Sequence, residues 1–476
     1  LTRIVLLNPP LGLKARYGSL ADVGNLLPHL GLIALAACLR EKGHFVKVID
    51  APAEGLDHHA VALKIAGIAP DIVGITSVTA AIDAAFIIAA ECKKLSPKTT
   101  IVLGGAHASS SAEEVLKSCP QIDFAVVGEG ELTFIELTAE LENGRSGQNV
   151  AGTAYRKDTS IVIGPPRKYI EDLDSLPFPA WDLLPDLAKR YRPSPQSIKR
   201  LPSTILVTSR GCPFVCTFCD RSVFGRKIRS ESAERVFSAI LHLSEKYGIR
   251  DIAFHDESLI FDEARLLKLC DLLMRSNIDI TFSCQGRVDQ TLSDQAFKAL
   301  KSAGCWQIQF GIETGSDEGL RRLGKGFSLE HVRSAVTRAA SFGIQTKAFF
   351  MLGIPGETLQ SLEQTRKFVL SVPLNDAMIG FFAPLPGTAI LPLASESGQS
   401  IGKRERLTGH QVSYLPHGLT ENDLINSRKH FYRSFYFRPG IIYAYIRRMA
   451  EPTAGRPLLK GLKTFLQAFV IRNRIQ

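Results

Sequence analysis

The chain has 476 residues, too many for one ordinary domain and enough for two or three. Its 45% hydrophobic and 22% charged residues exclude a disordered or fibrous chain, and no apolar stretch reaches the roughly 18 residues of a membrane span. The net charge of +10 sits at one end: from Lys403 onward fourteen Lys and Arg face four acids, leaving the rest neutral on balance.

The chain opens on Leu-Thr-Arg-Ile-Val-Leu-Leu-Asn-Pro-Pro, an apolar run too short for a signal peptide and read as a buried strand. Strands are predicted at Arg3–Asn8, Val46–Asp50, Asp71–Thr76, Thr100–Gly104 and Asp123–Val127. Between them Leu30–Lys42, Ala80–Lys94 and Ala112–Ser118 carry apolar residues at helical spacing. Near-continuous apolar strands alternating with helices predict a parallel sheet covered on both faces, a doubly wound, Rossmann-like domain over residues 1–145. A ligand of such a sheet sits at the carboxyl ends of its strands. The loops there offer Ser77 and Thr79, the pair Gly104-Gly105, and Gly128-Glu129-Gly130-Glu131. The dinucleotide fingerprint GxGxxG is absent after the first strand, where Asn8-Pro9-Pro10 stands, so a nicotinamide cofactor is disfavoured.

Val-Leu-Gly-Gly-Ala-His-Ala-Ser (102–109) and Asp-Phe-Ala-Val-Val-Gly-Glu-Gly-Glu (123–131) resemble the cobalamin-binding domain found ahead of many radical S-adenosylmethionine (SAM) domains. The resemblance implies a corrinoid lying across the strand ends, with its nucleotide tail between the fourth and fifth strands. It also implies contacts from Ser77, Thr79, Gly104, Gly105, Gly128 and Glu129. One departure stands out. Domains that supply a lower axial histidine carry DxHxxG, whereas this chain has Asp50-Ala51-Pro52-Ala53-Glu54-Gly55, and proline cannot ligate cobalt. Cobalamin is therefore expected without a histidine from that motif. His58, His59 and His107 read as surface or structural residues.

Residues 146–200 read as a linker: a possible hairpin, then Asp-Ser-Leu-Pro-Phe-Pro-Ala-Trp and a Pro-containing basic stretch. A strand at Ser203–Thr208 then runs into Cys212, Cys216 and Cys219, a CxxxCxxC motif within eight residues. Three thiolates in one loop select zinc or an iron–sulfur cluster. Structural zinc takes four ligands, commonly as two separated pairs, and neither a second CxxC nor a histidine at finger spacing exists. Three ligands on a [4Fe–4S] cube leave one iron open, which the amino and carboxylate groups of SAM can chelate. The other cysteines (Cys38, Cys92, Cys119, Cys270, Cys284, Cys305) are scattered among apolar neighbours and read as small buried hydrophobes.

Further strands are predicted at Asp251–Asp256, Ile280–Gly286, Gln307–Glu313, Gln345–Leu352 and Met378–Phe382, with helical patterns between. Together with the first, these resemble the partial (β/α)6 barrel of radical SAM enzymes, assigned to residues 201–395, whose sites lie at strand carboxyl ends. The resemblance implies Phe218 beside the adenine, Glu313 on the ribose hydroxyls, and Arg287 or Gln285 on the methionine carboxylate. Asp256 is implied as a further contact, and Ile354 in Gly353–Glu357 as part of the adenine side.

Residues 396–476 are predicted to be helical, mixing basic residues with Phe, Tyr, Ile and Leu. The pattern suits either a helix on an anionic membrane surface or a solvated face packed on the main body, and no nucleic-acid motif accompanies it. The whole chain thus resembles the cobalamin-dependent radical SAM family, which includes methyltransferases and the anaerobic magnesium-protoporphyrin cyclase. The resemblance implies methylation of an unactivated carbon through a 5′-deoxyadenosyl radical and methylcobalamin. Ring closure, rearrangement or oxygen insertion is the alternative, and a corrinoid carrier or sensor a distant one. The expected partners are a small-molecule substrate, leaning apolar or lipid-like, and a reductant such as flavodoxin or ferredoxin, in a cytoplasmic setting with possible peripheral membrane contact.

Overall fold

The computed structural model describes residues 1–449 and 455–465. Its first sheet has seven strands: β1 (Arg3–Asn8), β2 (Phe45–Asp50), β3 (Ile72–Thr76), β4 (Thr100–Gly104), β5 (Phe124–Val126), β6 (Thr153–Lys157) and β7 (Ser160–Ile163). They lie in the order β2-β1-β3-β4-β5-β6-β7, the first five parallel. The alternation of β1 explains the layering: Ile4 and Leu6 enter one core and Val5 and Leu7 a second on the opposite face. Both faces are buried, as a parallel sheet requires.

Two expectations need correction here. The hairpin β6–β7, assigned to the linker, extends the first sheet antiparallel to β5, because Tyr155 falls opposite Phe124 with ring centroids 6.4 Å apart. The helix expected from Ala112 is preceded by a further helical segment from Ala106, joined to it across a kink at Ser111 (φ −143°, ψ 34°). Ser109, Ser110 and Ser111 hid its first turns, since serine competes for backbone bonds; here the Ser109 and Ser110 hydroxyls bond back to the Gly105 and Ala106 carbonyls at 2.9 and 3.1 Å.

The connector does not hang free. Ala180, Trp181, Leu184 and Tyr191 join the core that continues from Ile4 and Leu6 into the second unit. There β8 (Ser203–Leu206) leads into a short antiparallel pair, β9 (Ser209–Arg210) and β10 (Arg229–Ser230), that closes the base of the cysteine loop. β11 (Asp251–Phe254), β12 (Thr281–Gly286), β13 (Cys305–Glu313), β14 (Gln345–Leu352) and β15 (Asp376–Phe381) complete a six-stranded, all-parallel, curled sheet in the order β15-β14-β13-β12-β11-β8. Its helices are capped as sequence rules ask. Ser232 accepts from the Arg235 amide at 3.1 Å to start the helix Ala233–Tyr247, and Gly248 ends it at φ 66°. Rossmann-like domain and partial barrel follow one another as expected. Of the region expected to be helical from 396, Gly398–Ser400 and Tyr414–Pro416 instead form an antiparallel pair, its α-helices start at Glu421, and residues 450–454 and 466–476 lie outside the described residues.

Three helices close the described chain: Glu421–Tyr436, Pro439–Met449 and Gly455–Phe465. Among the described residues, no helix is long and apolar enough to cross a membrane.

Candidate functional site

The strand ends of both sheets open on one shared cavity of about 440 Å³. Ser77, Gly104, Gly105 and Gly128 line it from the first sheet, and Val207, Arg210 and Phe224 from the barrel side. The cavity runs down the sheet face to Leu6, Gly74, Val102 and Val126. Gly74 keeps that depth open, since a Cβ there would fall 2.8 Å from Leu6 and 3.0 Å from Phe134. Gly105, at φ 96°, must be glycine: a Cβ would meet the Ser77 carbonyl and the Thr76 hydroxyl at 2.8 Å. Gly104 has no such need, for a Cβ there meets only Val126 at 3.9 Å.

Not every residue singled out in the sequence reaches this space. Thr79 is absent from the walls; its hydroxyl is 3.1 Å from Nδ1 of buried His107. The Asp50–Gly55 stretch folds as a helical turn with Asp50 buried, accepting from Tyr191 at 2.8 Å and Asn8 at 2.9 Å. Conversely, His29 and Cys38 line the cavity and were missed as such. His29 Nδ1 caps the helix Leu30–Glu41 by accepting from the Leu32 amide at 3.3 Å, and burial lowers its pKa to about 4. With Nδ1 accepting, the neutral ring carries its proton on Nε2.

Glu129 also lines the cavity, but both its carboxylate oxygens are engaged. Arg229 Nη1 donates to each at 2.9 Å, Arg210 Nη1 to Oε1 at 2.9 Å, and the Ile170 amide to Oε2 at 2.9 Å. Glu131 takes the second Arg210 nitrogen at 2.6 Å. Besides lining the cavity, Glu129 is an ionic latch between the two units. Buried charges are tolerated only when paired in this way.

Two residues beyond Arg210 the cysteine loop begins. Gly211, at φ 87°, makes the turn; a Cβ would lie 2.1 Å from the Lys227 carbonyl oxygen. The loop is pinned at Cys212 by its amide to the Gly225 carbonyl (3.2 Å) and at Thr217 by its amide to Leu323 (2.9 Å). All three thiols are free, Cys216 buried and the others half-buried. Burial pushes the Cys219 thiol up to about 12 and raises Cys212, with Glu257 and the neighbouring thiols adding to both. Arg287 Nη1 lies 3.5 Å from Cys216 Sγ, its guanidinium 3.6 Å above the centroid of Phe214, its other nitrogens on Asp289. Among the described residues no three His, Cys, Asp or Glu side chains converge closely enough to hold a single metal ion. A cubane makes no such demand, because each thiolate binds a different iron.

Around this loop the barrel ends assemble a second group. Glu313 closes β13 at φ 74°, a conformation that carries strain outside glycine. Burial raises its carboxyl pKa, opposed by Lys325, whose Nζ is 3.4 Å away and 5.4 Å over the ring of Phe218. Phe218 packs against the buried cluster that includes Ile354, whose amide donates to Glu357 at 3.2 Å. Gln285 stands half-buried near the end of β12, in register with Gln309. Asp256 is fully buried at the strand end leading to the loop: its Oδ1 accepts from the Thr208 amide at 2.8 Å, the Thr208 hydroxyl at 3.0 Å and the Ser209 hydroxyl at 2.5 Å, while its Oδ2 has no hydrogen-bond partner among the described residues. One oxygen braces the strand end and the other is left for a ligand donor.

Residues 206–369 match the radical SAM superfamily and residues 18–138 the B12 binding domain. An uncharacterized methyltransferase of Pyrococcus horikoshii is 34% identical, covering 88% of this chain and 90% of its own. This chain belongs to the cobalamin-binding radical SAM family. The anaerobic magnesium-protoporphyrin IX monomethyl ester cyclase of Rubrivivax gelatinosus is 27% identical over 94% of this chain and 80% of its own. Among solved structures, the cobalamin-dependent SAM radical enzyme OxsB, with aqua-cobalamin and SAM bound, superposes with a TM-score of 0.75 at 19% identity, covering 98% of this chain and 71% of OxsB. That likeness is one of fold.

As a cobalamin-binding radical SAM enzyme, the chain works with a [4Fe–4S] cluster, SAM and cobalamin. Its residues fit these groups. Three free thiols on one pinned loop are the donor set of the cluster, and the cavity is walled by backbone at Gly74, Gly104, Gly105 and Gly128, where Gly74 and Gly105 leave no room for a Cβ.

Proposed function

We propose that this enzyme transfers a methyl group to an unactivated carbon of a small, largely apolar substrate. One observation carries the reading: Ser209 and Arg210 are walls of the corrinoid cavity, and Cys212 follows two residues later, so the two cofactor sites share one stretch of backbone. Bound together, the cluster with SAM supplies a hydrogen-abstracting radical and the corrinoid supplies a methyl carrier.

In this reading Cys212, Cys216 and Cys219 hold the cluster. Glu313 takes the ribose hydroxyls and Phe218 with Ile354 flanks the adenine. Arg287, with Gln285, faces the methionine carboxylate, Asp289 fixing the guanidinium plane. Ser77, Gly104, Gly105, Gly128 and His29 line the corrinoid face. The walls around them exclude water. A small reductant protein of the flavodoxin or ferredoxin type, met in a reducing cytoplasm, delivers the electron.

The test is anaerobic reconstitution with iron, sulfide and hydroxocobalamin, followed by reduction with methyl-labelled SAM. 5′-Deoxyadenosine and a labelled product support methyl transfer, and Cys216→Ala should lose the cluster band while keeping the corrinoid spectrum. 5′-Deoxyadenosine with an unlabelled, cyclised or rearranged product would favour the second reading, which the similarity to the cyclase keeps open. No 5′-deoxyadenosine would leave a corrinoid carrier.

A further inference from the structure

We infer that the helix Pro439–Met449 docks the enzyme onto an anionic membrane surface. The helix is inverted relative to a solvated one. Ile441 and Arg448 are buried against the body, while Ile442 (41% exposed), Tyr443 (68%) and Ile446 (57%) face outward, with Phe437 (49%) just before them. Positions 442, 443 and 446 share one helical face, and exposed Arg447 lies beside them. On the next helix, Gly455–Phe465, Leu459 and Leu462 are again exposed at one-turn spacing, with exposed Lys463 adjacent. Singly exposed apolar residues are ordinary, but a helix whose outward face is Ile, Tyr and Ile is a contact surface that no described residue covers.

Charge selects the partner. Neither helix contains an acid, and together they carry five Lys and Arg (Arg447, Arg448, Arg456, Lys460, Lys463). An aliphatic and tyrosine face with exposed Arg447 and Lys463 beside it and no acid on either helix is the pattern that inserts at the headgroup boundary of anionic lipid. An acidic electron donor would match the charge but not the place. The helix Pro439–Met449 packs at the amino ends of the barrel strands: Arg448 donates to the Ile198 carbonyl at 2.8 Å and lies over Trp306 near the start of β13, and Arg438, just before the helix, donates to the Leu374 carbonyl at 3.1 Å, just before β15. The cysteine loop is at the opposite, carboxyl end, and the nine residues of β13 alone span roughly 30 Å. A donor docked on this face would be far from the cluster. A lipid surface here leaves the cysteine loop open to the donor.

The experiment is flotation of the reconstituted, full-length protein with vesicles of phosphatidylcholine alone and with one-third phosphatidylglycerol, at low and physiological salt. The anionic vesicles should carry at least ten times more protein. The variant I442S/Y443S/I446S should lose at least ten-fold of that binding while keeping its cluster and corrinoid spectra and its circular dichroism. Binding that the triple variant retains in full would mean charge attraction without docking and would overturn the proposal. So would absence of binding at both salts, or a dimer that the triple variant dissolves and that ignores vesicles. Loss of the variant's spectra would signal misfolding, and Tyr443→Ser alone, at the most exposed position, would then decide, with a drop of at least three-fold expected and an unchanged level refuting the docking.

Discussion

Glu129 Oε1 and Oε2 each lie 2.9 Å from Nη1 of Arg229, a buried ion pair joining the loop after β5 to the strand that closes the cysteine loop. Arg210 completes the pair from the other strand of that hairpin. The corrinoid loop and the cluster loop are therefore parts of one rigid joint. Converting Glu129 to Gln leaves the Arg229 guanidinium buried against a neutral side chain, while Arg210 keeps Glu131, at a cost of about 3–5 kcal/mol. The urea midpoint of the reconstituted protein should fall accordingly, and an Arg229→Met second change should restore part of it.

Gly105→Ala should injure one cofactor and spare the other. The added Cβ must displace the Ser77 carbonyl, 2.8 Å away, from a backbone already at φ 96°. The strain is on the order of 1–3 kcal/mol. Cobalamin retained after gel filtration should drop several-fold while iron and sulfide content stay at the level of the unaltered enzyme.

Glu313→Gln removes a buried anion from the end of β13 and leaves Lys325 facing a neutral amide. A charge-assisted hydrogen bond to a ligand hydroxyl is worth about 1.5–3 kcal/mol. SAM affinity, measured by anaerobic equilibrium dialysis, should fall at least ten-fold with the cluster spectrum unchanged.

Glu357 makes stability depend on pH in an unusual direction. Burial raises its carboxyl from 4.5 to about 8, against the Gly353 and Ile354 amides that favour the anion. The folded chain thus holds this proton more tightly than the unfolded one. The contribution is complete below about pH 4.5, is lost as pH rises toward about 8, and is flat above that, with a slope approaching ~1.4 kcal/mol per unit. Urea midpoints at pH 5.5, 7 and 8 should show that Glu357→Gln flattens this decline.

Much of the fold was legible because apolar runs in a parallel sheet are nearly unbroken. Arg3–Asn8, Thr100–Gly104 and Gln345–Leu352 begin and end where expected. The cysteine loop was equally plain, since its three donors lie within eight residues. The carboxylates were not. Glu129 and Asp256 stand at strand ends where ligands bind, yet their partners lie 100 and 48 residues further on or back in the chain, and spacing alone cannot reveal such pairs. Lys325 was missed for the same reason: its partner Glu313 is on another element, and its only local mark is a glycine on either side.

The shared cavity has a consequence for how the enzyme is made. Its walls come from the first sheet, from Leu173, Leu176 and Pro177 of the connector, and from barrel residues as late as Glu231 and Arg235. A nascent chain that has emerged only through β7 owns a floor without a roof. The corrinoid cavity is therefore complete only once the barrel's first strand and helix have been made.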